Sequence, residues 1–133
     1  MDIEFKAKEA ISLLLEKGDI ITSLEYNKDF FGNILIVVSN AFFSIRFISD
    51  RQDYICQIIC KGEAYSIGDV FDVLNVKLQS QNQDFFVFVT SCITQFVAHE
   101  KEIINCFSDE NLAQTTALIN KISKERVFRI FGL

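Results

Sequence analysis

The chain of 133 residues predicts an α+β fold: an antiparallel sheet of about four strands that follows an N-terminal helix and packs against three or more helices. Three observations predict it. Apolar residues recur at helical spacing towards both ends of the chain and alternate with period two between them. The connections between the alternating runs are a few residues long, whereas a βαβ crossover needs a dozen or more, so the strands run as an antiparallel meander. Half of the residues are apolar, enough for one core, and the length suits a single domain spanning residues 1–133.

From Asp2 to Lys17 the apolar positions Ile3, Phe5, Ala7, Ala10, Ile11, Leu14 and Leu15 mostly follow one helix face, and Gly18 supplies the stop. Ile20 to Tyr26 then reads as a strand, and Asn27 to Asp29 with Gly32 and Asn33 carry turn chemistry. Ile34 to Val38 is a β-branched run that suits a central strand. Ser39 and Asn40 turn the chain into a third strand, where Phe43, Ile45 and Phe47 point one way and Ser44, Arg46 and Ile48 the other. After the turn at Ser49 to Asp53, Tyr54 to Lys61 forms a fourth, with Tyr54, Cys56, Ile58 and Cys60 opposite Ile55, Gln57 and Ile59.

Beyond Gly62 the helical period returns. Ser66 with Asp69 reads as an N-cap, and Ile67, Val70, Phe71, Val73 and Leu74 form the buried side of a short helix. A polar loop around Gln79 to Asp84 precedes one long core helix traced by Phe85, Phe86, Val89, Cys92, Ile93, Phe96, Val97, Ile103, Ile104 and Phe107. Ser108 is expected to cap a last helix, with Asp109 and Glu110 at its positive end and Lys121, Lys124, Arg126 and Arg129 at its negative end. Leu112, Thr116, Ile119, Ile122, Val127 and Ile130 trace its inner face, although Val127 to Phe131 also fits a short strand. Leu14, Phe47, Phe71, Phe96 and Ile119 are expected in the core.

Several function classes lack their signatures. The start of the chain has neither the basic region nor the apolar run of a secretory signal. Phe85 to Ala98 is broken by Thr90, Ser91, Thr94 and Gln95 and falls short of the ~20 apolar residues of a membrane span. A formal charge of −5 disfavours phosphate backbones, which clustered Lys and Arg hold, and favours a basic partner. No G-x-S-x-G, G-x-G-x-x-G or P-loop pattern occurs, so no catalytic residue and no cofactor is assigned.

Cys56 and Cys60, four residues apart on one strand, are ~13 Å apart, and Cys92 and Cys106 on one helix would be ~21 Å apart, so neither pair can share a zinc ion. The four thiols read as small buried hydrophobes. His99 is the single histidine, and both helix cysteines lie seven residues from it, so a surface or capping role is expected. The acid pairs Asp50 with Asp53, Asp69 with Asp72, Glu100 with Glu102 and Asp109 with Glu110 match no calcium-binding loop, and no metal ligand is assigned. Arg46, on an otherwise apolar strand, is expected to pair with Asp50 or Asp53, or else to face a partner.

Charge is uneven: from Glu63 to Glu110 eight acids face two bases, while four bases face Glu125 from Lys121 onward. That asymmetry can steer a charged partner, and it makes Asp69, Asp72, Asp84, Glu100, Glu102, Asp109 and Glu110 the candidate partner-binding residues.

The segment Phe31 to Leu74 resembles small bacterial toxin-immunity proteins. It does so through Phe31, Gly32 and Asn33 at a turn, Ile45, Arg46 and Phe47 on a strand, Asp50 and Arg51 at the next turn, and Val70, Phe71, Val73 and Leu74 on a short helix. Those proteins often show a Gly after the Asp-Arg pair and a Trp before the helix, where this chain carries Gln52 and Tyr65. The resemblance implies a non-catalytic cytoplasmic antidote that binds a cognate toxin domain, of the kind used in contact-dependent growth inhibition, where many toxins are nucleases. The alternatives are a protein-interaction or scaffold domain with another partner, and an enzyme with an unfamiliar site.

Overall fold

Asp2 opens the first helix by accepting the Phe5 N–H at 3.1 Å, the usual way a short polar side chain satisfies a helix's first donors. The computed structural model describes residues 2–29, 32–51, 53–79 and 84–131. Phe31, Gln52 and residues 80–83 of the expected polar loop lie outside the described residues. The elements are α1 (Ile3–Ala10), α2 (Ser12–Glu16), β1 (Ile20–Asn27), β2 (Asn33–Ser39), β3 (Ser44–Asp50), β4 (Asp53–Cys60), β5 (Glu63–Ser66), α3 (Ile67–Val73), α4 (Phe85–Ala98), α5 (Glu100–Cys106) and α6 (Leu112–Phe131). The α+β class is therefore correct, with five strands in the antiparallel order β1-β2-β3-β4-β5.

The fifth strand follows from a two-residue turn. Lys61 and Gly62 both have positive φ (51° and 79°), the hairpin geometry whose twist matches its flanking strands, and it returns the chain to pair Ile58 with Tyr65. Lysine in the first turn position hides that signal, which Asn or Asp would announce.

Alternation sorts the sheet into two faces. Ile34, Ile36, Val38, Ile45, Phe47, Cys56, Ile58, Cys60 and Tyr65 belong to one core cluster with Leu14 of α2, Val70 and Phe71 of α3, Phe85 to Phe96 of α4 and Ile103 of α5. Aromatic rings lock the layers: Phe43 meets Phe96 and Phe107 edge-on at 6.0 and 5.7 Å, and Tyr54 lies 5.6 Å from both Phe85 and Phe88. Leu14, Phe47, Phe71, Phe96 and Ile119 are all buried, as their spacing requires.

The helices differ from expectation in several places. The N-terminal helix is divided at Ile11 (φ −101°), giving α1 and α2. The long core helix breaks at His99, which ends α4 with φ −120° and starts α5. Glu100 and Glu102 sit in the first turn of α5, where acidic side chains suit the positive helix end, and that was the legible sign of a new start. Ser108 does not cap: its hydroxyl donates to the Asn105 carbonyl, and α6 begins at Leu112. Ser66 does stand at the N-cap of α3, but its side chain makes no capping bond.

The last helix, α6, runs to Phe131 as its helical spacing requires, so the short strand that Val127 to Phe131 also fits does not form. Its 20 residues span ~30 Å, against ~10 Å for the seven of its neighbour α3, so its second half outruns the surface it packs on. Val127 and Ile130, expected on the inner face, are 48% and 70% exposed. Replacing either with Ala should change unfolding free energy by less than about 0.5 kcal/mol in urea titrations; a loss above ~2 kcal/mol would place them in a core.

Candidate functional site

The other face of the sheet has its own register. Across the strands, Glu25 lies opposite Leu35, Leu35 opposite Ile48, and Ile48 opposite Ile55; in the next row Ser23, Val37, Arg46, Gln57 and Ser66 succeed one another. The third row runs through Ser39, Ser44, Ile59 and Ala64. Among the described residues Leu35, Val37, Ile48, Ile55 and Ile59 stand apart from the core cluster; the first three and Ile59 are half-buried, and Ile55 is 39% exposed. Central strands that are apolar on both faces normally lie between two layers. Here the helices of the core occupy one side.

Arg46 is the cation at the middle of this face. The expected ion pair does not form: Nε and Nη2 both donate to Gln57 Oε1, at 3.0 and 2.6 Å. The register explains it. Gln57 is the direct cross-strand neighbour, whereas Asp50 and Asp53 pair with one another four residues further along, ~13 Å away, beyond the reach of the side chain. At the other end of the face Ser39 Oγ bridges Thr22 Oγ1 (3.1 Å) and Ser44 Oγ (2.8 Å), next to the irregularity between Ile21 and Ser23 in β1. A shallow basin runs along the face past Glu25, Leu35, Arg46, Ile48 and Asp50.

The seven acids named from the sequence are distributed over the helical side, and six have a partner within the chain. Asp69 and Asp72 of α3 receive the Arg126 guanidinium of α6 at 3.0 and 2.6 Å. Asp84 caps α4 by accepting the Phe86 and Val87 N–H groups. Glu100 forms an ion pair with Lys17, which also reaches Asp19 and lies 5.8 Å from the Phe96 ring centre. Burial would lower the Lys17 pKa, but the bonds to Glu100 and Asp19 outweigh it and raise it. Glu102 bonds His99 Nδ1 at 3.0 Å. Asp109 is held below its ordinary value by its hydrogen bond to Lys61, with both side chains exposed, and Glu110 is exposed beside it.

The nucleophile candidates are equally occupied by structure. His99 packs edge-on against Phe71 with ring centres 5.7 Å apart. Cys56 on β4 lies beside Cys92 on α4, and burial, reinforced by that neighbour, holds its thiol well above the ordinary range. A group kept protonated in the folded chain contributes stability that is complete below its unfolded pKa and is lost as pH rises towards the folded one. Stability should therefore fall from about pH 9 upward, by at most ~1.4 kcal/mol per pH unit for this thiol. Urea titrations at successive alkaline pH values should show a shallower fall in Cys56→Ala; an unchanged slope would place the effect elsewhere.

Among the described residues no group of three or more His, Cys, Asp or Glu side chains is placed to hold a metal ion, and no helix is long and apolar enough to cross a membrane. The residues that sequence reasoning passed over are those of the open face: Leu35, Val37, Ile48, Ile55, Gln57 and Ile59. Their signal was present in strands apolar on both faces. Compared with known proteins, the chain matches no family model, no curated protein and no solved structure.

Proposed function

We propose that this chain is a non-catalytic immunity protein that binds a cognate bacterial toxin domain in the cytoplasm and neutralises it, using the open face of its sheet as the contact surface. The observation that supports this reading is the aliphatic face with a single central arginine that the chain's own helices leave uncovered. Contiguous apolar surface of this kind, rimmed by polar residues, marks interaction sites. The face measures roughly 19 Å across five strands and roughly 23 Å along seven residues, a flat area of about 440 Å² and so roughly half of the ~800 Å² that one partner contributes to a standard interface, enough for the centre of such a contact.

The toxin as partner comes from the resemblance of Phe31 to Leu74, and the acidic surface suits it. An inhibitor does no chemistry; it covers an active site or a substrate path. A nuclease path is basic because it holds phosphates, and a net charge of −5 draws such a domain in. In this reading Asp69, Asp72, Glu100 and Glu102, tied to neighbours at short range, act through their field and set the association rate. A scaffold domain with a different partner would use the same face.

Co-expression with the toxin encoded at its own locus tests the proposal. The immunity reading expects the producing cells to survive and a complex of the two chains to co-purify. Cell death at full expression of this chain would reject immunity, and a partner other than the toxin would favour the scaffold reading.

A further inference from the structure

We infer that Arg46 and Gln57 together form a receptor for one carboxylate, an Asp or Glu that the partner protein presents among aliphatic or aromatic side chains. The inference rests on the reading of the sheet face as the binding surface and adds the chemistry of what that surface accepts.

The donor count carries it. A guanidinium has five N–H donors, and Arg46 directs its Nε and Nη2 at a single Gln57 oxygen. The Nη1 pair and the two Gln57 Nε2 donors have no acceptor among the described residues, so the cluster offers several donors and no spare acceptor. Gln57 fixes the plane of the guanidinium from one side, which leaves a pre-set fork of the kind that takes a carboxylate by two parallel bonds.

The surroundings decide which ligand is accepted. Val37 stands directly across from Arg46 on β2, Ile48 and Ile55 lie in the adjoining row on one side, and Ile59 lies in the adjoining row on the other. Any protein that covers these aliphatic side chains also removes Arg46 from water. A desolvated guanidinium without a counter-charge is strongly unfavourable, so a partner that seals the face must bring an acid to its centre. A second copy stacked about a two-fold axis through that centre would instead set Arg46 against Arg46. Glu25, Asp50 and Asp53 occupy one end of the same face with Arg51 of the β3–β4 turn beside them, a net negative end that disfavours an acid there and favours its entry at Arg46.

Gln57→Glu tests the receptor directly, because it keeps the size of the side chain and supplies Arg46 with a carboxylate from within the chain. Short random peptides displayed on phage are selected on the native protein, and their affinities are measured on native, Q57E and Arg46→Gln proteins. We expect recovered peptides that carry Asp or Glu next to Leu, Ile, Phe or Trp, and an affinity loss of at least about tenfold on both variants. The melting temperature of Q57E should stay level or rise, which a merely structural role for Gln57 would not combine with lost binding. Peptides without an acid, affinities that Q57E leaves unchanged, failure to recover any peptide, or a native dimer in sedimentation that Ile55→Lys dissolves would each overturn the receptor. Protection from the toxin is read separately. Its failure with acidic peptides in hand removes the immunity function alone, and its success with none removes the receptor alone.

Discussion

Replacing Ile55 and Ile59 together with lysine is expected to weaken binding of the toxin domain by about 100-fold or more, roughly 2.7 kcal/mol, and to abolish protection in co-expressing cells. Both side chains lie on the open face of β4 and outside the core cluster, so their loss does not hollow the protein. Lysine can lay its aliphatic stem along the sheet and keep its charge in water while the chain is alone. Under a docked partner those two ammonium groups would sit beside Arg46 with no water and with only the one carboxylate that Arg46 already engages. The double variant should melt within a few degrees of the native protein, and calorimetric titration with the toxin domain should register the lost affinity. Reversing Asp69, Asp72, Glu100 and Glu102 should act differently, by slowing association and flattening its salt dependence. If those reversals abolish binding at equilibrium and the lysines do not, the contact lies on the helical side.

Truncating Phe47 to alanine is the second large effect, a loss of about 3–5 kcal/mol of stability. Phe47 lies on β3 at the centre of the inner face, with no exposed surface, between Ile36 on one neighbouring strand and Cys56 on the other. Removing the ring leaves a cavity that five paired strands cannot close, because their spacing is fixed by the hydrogen-bond ladder. Urea unfolding should show the whole loss. The adjacent position makes the contrast, since Ile48→Ala on the open face should cost markedly less in the isolated chain and show its full effect only in binding. A loss below about 0.5 kcal/mol at Phe47 would mean that the two faces have been assigned the wrong way round.

Those two predictions depend on period-two alternation, the part of the structure most legible in the sequence. Phe43, Ile45 and Phe47 against Ser44, Arg46 and Ile48, and Cys56, Ile58 and Cys60 against Ile55, Gln57 and Ile59, divide between the faces as the spacing dictates, because a strand has no other way to place successive side chains. The ends of elements were less legible. A helical stripe running through His99 gives no sign of a break when the second helix continues along the same core, and only the acids of its first turn mark the restart. Val127 and Ile130 keep the apolar spacing of a buried face after the neighbouring helix has ended, and spacing alone carries no record of a neighbour's length.

The candidate site was hidden for a related reason. Charge is visible in a sequence, and it drew the seven acids together as one list. Folding places them on separate helices and turns and gives Asp69, Asp72, Glu100, Glu102 and Asp109 cationic or imidazole partners. Apart from Glu102 with His99, three residues away, those pairings join residues up to 83 positions apart, as between Lys17 and Glu100, and no local pattern encodes them. Arg46 was singled out correctly as unusual. Its neighbour was missed because the pairing with Gln57 depends on the register of the hairpin, which is settled by the turn around Arg51 (φ 51°) and the cross-strand packing together.

The most direct test of the account is a methyl chemical-shift map of the protein, labelled at Ile, Leu and Val, with the unlabelled toxin domain added. The account predicts that Leu35, Val37, Ile48, Ile55 and Ile59 shift, while Ile67 and Val70 of α3 and Ile119 of α6 keep their positions. Shifts concentrated around α3, α5 and α6 with the sheet methyls unmoved would contradict it, and would return the contact to the acidic helical surface.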